Sequence, residues 1–108
     1  MSEETATLLS DELLLRDVKD YLNINWDDDV TNRKIKGFIS RGKVAISEYA
    51  GCQVTDIDFN KEGNEKQLLF DHCRYARSEA LEVFEHNFQS QIVSLRLKYQ
   101  TEAMEDED

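Results

Sequence analysis

The chain has no proline, only four glycines and only two cysteines. The glycines do not form the G-x-G-x-x-G or G-x-x-x-x-G-K loops that cradle phosphates. Cys52 and Cys73 lack a C-x-x-C spacing, so we expect reduced thiols and no disulfide framework. No apolar run approaches the roughly 18 residues that span a bilayer, and the first residues are acidic where a secretory signal is basic. The sequence therefore predicts neither export by that route nor a membrane span.

Basic residues are also scarce, because 13 Lys and Arg stand against 23 Asp and Glu, a formal net charge of -10. Such a charge repels phosphates and argues against nucleic-acid binding as the main activity. With 108 residues and 40% hydrophobic content, the chain fits one small domain near the lower limit of independent stability, and self-association would help it. We predict a flexible N-terminus at 1–10, one helical domain at 11–100 and an acidic disordered tail at 101–108.

Two helical patterns surround an aspartate-rich break in the first half of the chain. The first pattern repeats apolar residues every three or four positions, which places them on one face of a helix. These residues are Leu14, Leu15, Val18, Tyr21 and Leu22. Asp27, Asp28 and Asp29 then interrupt the pattern. Carboxylates before a helix accept hydrogen bonds from its first amides and oppose its positive dipole end, so a second helix is expected to begin there.

The second helix is expected to end at Gly51, a residue that tolerates left-handed geometry. Its core face follows the i, i+3, i+4 rule at Ile35, Phe38, Ile39, Gly42, Ile46 and Tyr49. The basic residues lie on the other side of this helix, namely Arg33, Lys34, Lys36, Arg41 and Lys43. Two interpretations are open: a solvated polar face, or a contact with an acidic surface on a neighbouring subunit.

Residues 52–63 form a connection that is long for so small a domain, and such loops are usually functional or disordered. Ile57 and Phe59 argue against disorder. They predict either a contact element on the surface or a loop whose two apolar side chains tuck under the core.

A third and longest helix is predicted from Asn64 to Phe88, because Asn64 and Gln67 have the spacing of a capping box. One apolar stripe marks its core face: Leu69, Cys73, Ala76, Ala80, Val83, Phe84 and Phe88. A second, mixed stripe contains Leu68, His72, Tyr75, Glu79, Glu82 and His86. Leu68 and Tyr75 make it a candidate contact with a neighbouring subunit, since interfaces favour aromatics among polar groups. Ordinary surface exposure is the alternative.

Patterns for catalysis or cofactor binding are missing. An EF-hand loop counted from Asp27 would need glycine at position 32 and glutamate at position 38, where the chain has Asn32 and Phe38. Asp71, His72 and Cys73 are adjacent, and successive helix residues point about 100° apart, so they do not converge as a nucleophilic triad. We therefore expect no enzyme, no cofactor and no metal.

The first half of the chain resembles the small helical head-tail connector, or neck adaptor, proteins of tailed bacteriophages. In that family a D-V-K-x-Y-L helix, an acidic break and a longer helix ending in Tyr-x-Gly follow one another. Here these motifs are Asp17 to Leu22, Asp27 to Asp29, and Tyr49 to Gly51. The chain differs at Gly42, where many relatives have alanine, and in having no proline before the third helix. The motifs are packing and capping motifs, so they point to a family and not to a chemistry.

Residues 92–99 fit both a helix edge and a strand, because Val93, Leu95, Leu97 and Tyr99 alternate strictly. The resemblance implies a helical family and favours a helix. It also implies that Leu95, Leu97 and Tyr99 belong to a C-terminal arm that docks on the portal or on a neighbour. The predicted fold is an all-α bundle of three to four helices, with a long loop between the second and third helices and a flexible C-terminal segment. Its predicted core comprises Val18, Leu22, Ile35, Phe38, Ile39, Ile46, Tyr49, Leu69, Ala76, Ala80 and Phe84.

Three functions are compatible with these patterns. The resemblance implies a structural virion protein, assembled in the host cytoplasm into a homo-oligomeric ring beneath the phage portal. The ring extends the DNA channel, passes DNA without specific binding and carries the next neck or tail protein. The charge alone would also suit a small acidic inhibitor that mimics DNA. A helical DNA-binding regulator is supported only by the basic residues of the second helix.

Overall fold

The computed structural model describes residues 3–106, and all of its regular elements are helices. The α-helices are α1 (Glu3–Tyr21), α2 (Asp29–Ala50), α3 (Asn64–Arg77), α4 (Phe84–Asn87) and α5 (Gln89–Asp106), with short 3₁₀ turns at Val54–Asp56 and Leu81–Val83. No strand occurs in this part of the chain, so the all-α prediction is confirmed. Residues 92–99 are part of α5 and therefore form a helix.

Both ends of the domain are more helical than expected. Residues 3–10 form the first turns of α1, and α5 continues through residues 101–106. The predicted flexible N-terminus and disordered tail also include residues 1–2 and 107–108, which lie outside the described residues. The acidic composition gave no sign that α5 would continue so far.

The start of α2 is capped by the second residue of the aspartate run. The Asp28 carboxylate accepts hydrogen bonds from the backbone N–H and the hydroxyl of Thr31, both at 2.9 Å. These bonds hold the pKa of Asp28 below its usual value. Asp27 accepts a bond from Asn32 at 2.7 Å, and this bond, together with Lys19, lowers the pKa of its carboxyl. The aspartate run therefore caps a helix, as predicted.

Three helices end in the same backbone motif, in which a residue with positive φ lets two backbone N–H groups reach back to unpaired carbonyls. The residues with positive φ are Asn23, Gly51 and Glu79 at φ values of 61°, 76° and 56°. In each case the backbone N–H of the next residue donates to the carbonyl five positions before it. The N···O distances are 2.9 Å after Asn23, 3.0 Å after Gly51 and 2.8 Å after Glu79. Asparagine and glycine are usual in this position, whereas glutamate is not.

The prediction of one helix from Asn64 to Phe88 is wrong, because the left-handed Glu79 ends α3 and the chain turns before α4 and α5. Ala80 is only half-buried and Val83 is exposed, since the turn carries them out of the line of the core stripe. Ala76, in the last turn of α3 before the break, is also only half-buried. Phe84, after the turn, still reaches the core.

The core forms around α2, which contacts α1, α3 and α5. Most of the predicted core is buried, namely Val18, Leu22, Ile35, Ile39, Ile46, Leu69 and Phe84. Phe38 and Tyr49 are half-buried and pack against this cluster. Gly42 allows the closest approach between α2 and α3, because a Cβ there would lie 2.7 Å from Leu69 Cδ1.

Polar contacts between the helices show how they run around this core. Lys19 donates to Asn32 at 2.8 Å and Lys43 lies 3.9 Å from Asp11, so α1 runs antiparallel to α2. Tyr21 donates to Asp71 at 2.5 Å, and burial followed by the Asp71 carboxylate raises the pKa of Tyr21. The resulting molecule is a slab with principal extents of 48 × 41 × 18 Å.

Candidate functional site

The basic residues of α2 do not form one continuous face. Lys36 lies 3.5 Å from Glu12 and Lys43 lies 3.9 Å from Asp11, so α1 neutralises both of these cations. Arg33, Lys34 and Arg41 are exposed and make no ion pair with the other described residues. The predicted five-residue basic face is therefore reduced to three cations that do not face α1.

The solvent side of α2 carries apolar residues as well as charge. Val30 and Val44 are 54% and 46% exposed, and Gly37 lies midway between them. Residues seven apart return to nearly the same side of a helix, so these three form one line, and Lys34 and Arg41 form a second line beside it. We call these five residues the α2 outer face.

The exposed Arg41 side chain lies along its own helix. A Cβ at Gly37 would lie 3.3 Å from the Arg41 guanidinium, and Arg41 Cζ is 5.6 Å from the centre of the Phe38 ring. The absence of a side chain at Gly37 gives the guanidinium room to lie there. Its charge is therefore positioned along the α2 outer face without a carboxylate partner among the described residues.

Helix α5 has apolar residues on two opposite sides. Ile92 and Leu95 are buried and Tyr99 is half-buried, with its hydroxyl 3.5 Å from Glu65. Val93, Leu97 and Met104 lie on the other side and are 46%, 57% and 70% exposed. We call these last three residues the α5 outer face. Of the three residues predicted to dock on a partner, Leu95, Leu97 and Tyr99, only Leu97 is exposed enough to contact one. Leu95 belongs to the core and Tyr99 packs against it.

Three other predicted contact residues lie in the core. Ile57 and Phe59 are buried, so the loop tucks under the core rather than projecting. Leu68 is only 1% exposed, because α3 contacts α1, α2 and α5 and therefore buries more than one stripe. These positions are not surfaces for a neighbouring subunit in the folded chain.

Tyr75 is half-buried in an aromatic cluster at the corner between α3 and α4. Its ring lies edge-on to Phe84 and to Phe88, with centroid distances of 5.5 Å in both pairs. Its hydroxyl accepts a hydrogen bond from Asn87 at 3.0 Å. Tyr75 therefore packs α3 against the residues that follow the turn at Glu79.

The histidine and cysteine of α3 are both buried. Burial raises the pKa of the Cys73 thiol to about 12. His72 has no hydrogen-bond partner for Nδ1 within the described part of the chain, and burial, followed by the Arg41 charge, lowers its pKa. Among the side chains that the structure describes, no three of His, Cys, Asp or Glu are grouped so that they could hold a metal ion.

Sequence reasoning missed an exposed apolar surface on α1. Leu8, Leu9 and Leu13 are exposed there, and Trp26 is exposed in the following loop. Leu9 and Leu13 are four residues apart, on the side of α1 away from the buried Val18. This spacing was a readable signal of a second apolar face.

Comparisons with family models, with curated proteins and with solved structures gave no match for this chain. The expected connector family therefore depends on the resemblance of the residues alone. None of the helices between residues 3 and 106 is both long enough and apolar enough to cross a membrane.

Proposed function

We propose that the protein is a structural adaptor of the head-tail connector type. It assembles as a ring beneath the portal of a tailed bacteriophage, extends the DNA channel and carries the next neck or tail protein. It reaches the virion from the host cytoplasm, where the subunits are made.

The observation that carries this proposal is the α5 outer face. Val93, Leu97 and Met104 are exposed along one side of a helix whose opposite side is buried in the core. A row of exposed apolar residues on one face supports a role in association, and covering them would add to the core of a small domain. The sequence motifs of α1 and α2 supply the resemblance to connectors.

The charge of the chain suits a protein that surrounds moving DNA. A net charge of -10 does not attract phosphates, so a channel with this sign passes DNA without holding it. The neutralised Lys36 and Lys43 further reduce the cations available to bind a phosphate backbone.

The test is the mass of the assembly, measured by native mass spectrometry for the protein alone and mixed with a purified phage portal oligomer. We expect a closed oligomer alone or on the portal. Leu97→Glu is expected to weaken that assembly, because it places a charge in an apolar contact, while circular dichroism shows the same helicity. Gln91→Glu adds the same charge on another side of α5 and serves as the control.

Two results would contradict the proposal. A protein that stays monomeric at all concentrations and does not bind the portal is not a connector. A ring that forms equally well with Leu97→Glu removes the α5 outer face from the contact.

A further inference from the structure

We propose that His72 makes one contact of the fold sensitive to pH: the neutral imidazole keeps residues 75–88 packed on α2, and its protonation separates them. We call residues 75–88 the α3–α4 corner. This inference goes beyond the proposed function and does not depend on it.

His72 lies where α2, α3 and α4 meet. The residue belongs to α3 and is only 7% exposed. Its Nδ1 atom faces α2 at the closest approach of the two helices, since a Cβ on Gly42 would lie 3.3 Å from that nitrogen. Its ring lies edge-on to Phe84, the first residue of α4, with the two ring centroids 4.9 Å apart. The neutral ring therefore packs α3 against α2 and against α4 at once.

The charged form of His72 does not fit this position. Nδ1 has no hydrogen-bond partner among the residues that the structure describes. An imidazolium carries a proton on both ring nitrogens, so the charged ring places an N–H donor at Nδ1 whichever nitrogen is protonated in the neutral ring. A buried donor without an acceptor destabilises the fold, and an unpaired buried charge destabilises it more. The packed corner therefore requires the neutral ring.

The groups around His72 do not offset a positive charge. Burial, followed by the Arg41 cation of α2, lowers the pKa of His72. On α3, the Asp71 carboxylate binds residues of α1 and of its own helix. On α4, Glu85 accepts a hydrogen bond from Tyr49 at 3.1 Å, and burial followed by Glu85 raises the pKa of Tyr49 to about 12, so this phenol stays uncharged in mild acid.

The α3–α4 corner is the part of the fold that we expect to move. Helix α4 has four residues and packs mainly against the preceding 3₁₀ turn and α5. Its contacts with α2 include the Phe84 ring, which stacks on Tyr49 with centroids 6.4 Å apart. Glu79 within the corner has a positive φ that glutamate rarely adopts, and separation lets it relax. Short segments of this kind open at a lower free energy than the whole domain, and this opening exposes the buried Phe84.

Hydrogen exchange measured by mass spectrometry tests this inference, with each rate corrected for the intrinsic effect of pH on amide exchange. The amides of Val83 and Phe88 make backbone hydrogen bonds inside the corner and report its opening. As the pH falls from 7.5 to 5.5, their exchange is expected to accelerate by up to about tenfold per pH unit below about 6.5. The amides of residues 33–46 in α2 are expected to keep their protection.

His72→Leu is expected to remove this acceleration, because leucine takes up no proton. His86→Gln, at the exposed histidine, is the control and is expected to retain it. An acceleration that persists in His72→Leu overturns the inference. So does equal acceleration along the whole chain of the unchanged protein, or no acceleration of the corner at all.

A second pair of variants tests the inference even if His72→Leu does not fold. Arg41 is exposed, and its charge lowers the pKa of His72, so Arg41→Gln is expected to shift the opening of the corner to higher pH. The His72 titration, followed by NMR of its ring C–H groups, is expected to shift in the same direction. Lys34→Gln makes the same change in net charge at another exposed residue of α2 and is expected to shift neither. If both midpoints are unchanged in Arg41→Gln, or if they shift equally in Lys34→Gln, the inference is wrong.

Discussion

The two faces of α2 meet different surroundings although they belong to one helix. Ile35, Ile39 and Ile46 are buried against α1, α3 and α5, whereas Val30 and Val44 of the outer face are about half exposed. The burial of the isoleucines is a property of the folded monomer. The half-exposed valines contribute little to that burial. The stability of the monomer is therefore expected to depend on the buried face of α2 far more than on its outer face.

The two interior glycines of α2 show the same division. A Cβ at Gly42 would meet Leu69 at 2.7 Å and His72 at 3.3 Å, and both of these side chains are buried. A Cβ at Gly37 would meet only the end of the Arg41 side chain at 3.3 Å. The glycine at 42 is needed for helix packing, while the one at 37 leaves room for the Arg41 guanidinium on the outer surface.

The largest contrast is expected between Ile46→Asp and Val44→Asp. Ile46 is fully buried, and an unpaired buried carboxylate costs several kcal/mol against a total stability of about 5–15 kcal/mol. Val44→Asp on the outer face is expected to change the free energy of unfolding by less than about 0.5 kcal/mol. Urea denaturation followed by circular dichroism measures both. Equal destabilisation by the two substitutions would contradict the division between the faces.

A smaller contrast is expected between Gly42→Ala and Gly37→Ala. Overpacking at residue 42 destabilises the fold by about 1–3 kcal/mol, while alanine stabilises the helix by about 1 kcal/mol relative to glycine. Gly42→Ala is therefore expected to lower the free energy of unfolding by up to about 2 kcal/mol. Gly37→Ala is expected to raise it by up to about 1 kcal/mol, because the flexible Arg41 side chain can move aside. Denaturation midpoints of the two variants check the opposite signs. A destabilising Gly37→Ala would mean that Arg41 is fixed over residue 37.

Much of α2 could be predicted from the sequence, because its signals are local. The cap at Asp28, the end at Gly51 and the spacing of the isoleucines depend on residues within a few turns. The break after α3 carried no such signal, since Glu79 adopts a left-handed conformation that glutamate rarely takes. The apolar pattern continued through Phe84, so one long helix was predicted.

The candidate contact residues were harder to predict, because their availability depends on which helices pack together. Lys36 and Lys43 look like members of a basic face until α1 places acids beside them. Leu68 looks like a surface residue until α3 is packed among three other helices. Sequence spacing predicts which residues share one side of a helix. It does not predict which of those sides will be covered by other helices.

The smallest expected effect is a pH dependence of the free energy of unfolding. It comes from His72, which is buried on α3. Burial and Arg41 lower the pKa of His72 in the folded protein, so the unfolded chain takes up the proton first as the pH falls below about 6.5. The free energy of unfolding is then expected to fall with the pH, by at most about 1.4 kcal/mol per pH unit. His72→Leu is expected to remove this part of the difference between pH 7.5 and pH 5.5 in urea denaturation. His86→Gln, at the exposed histidine, is expected to retain it. An equal pH dependence in the unchanged protein and in His72→Leu would show that the proton is taken up elsewhere.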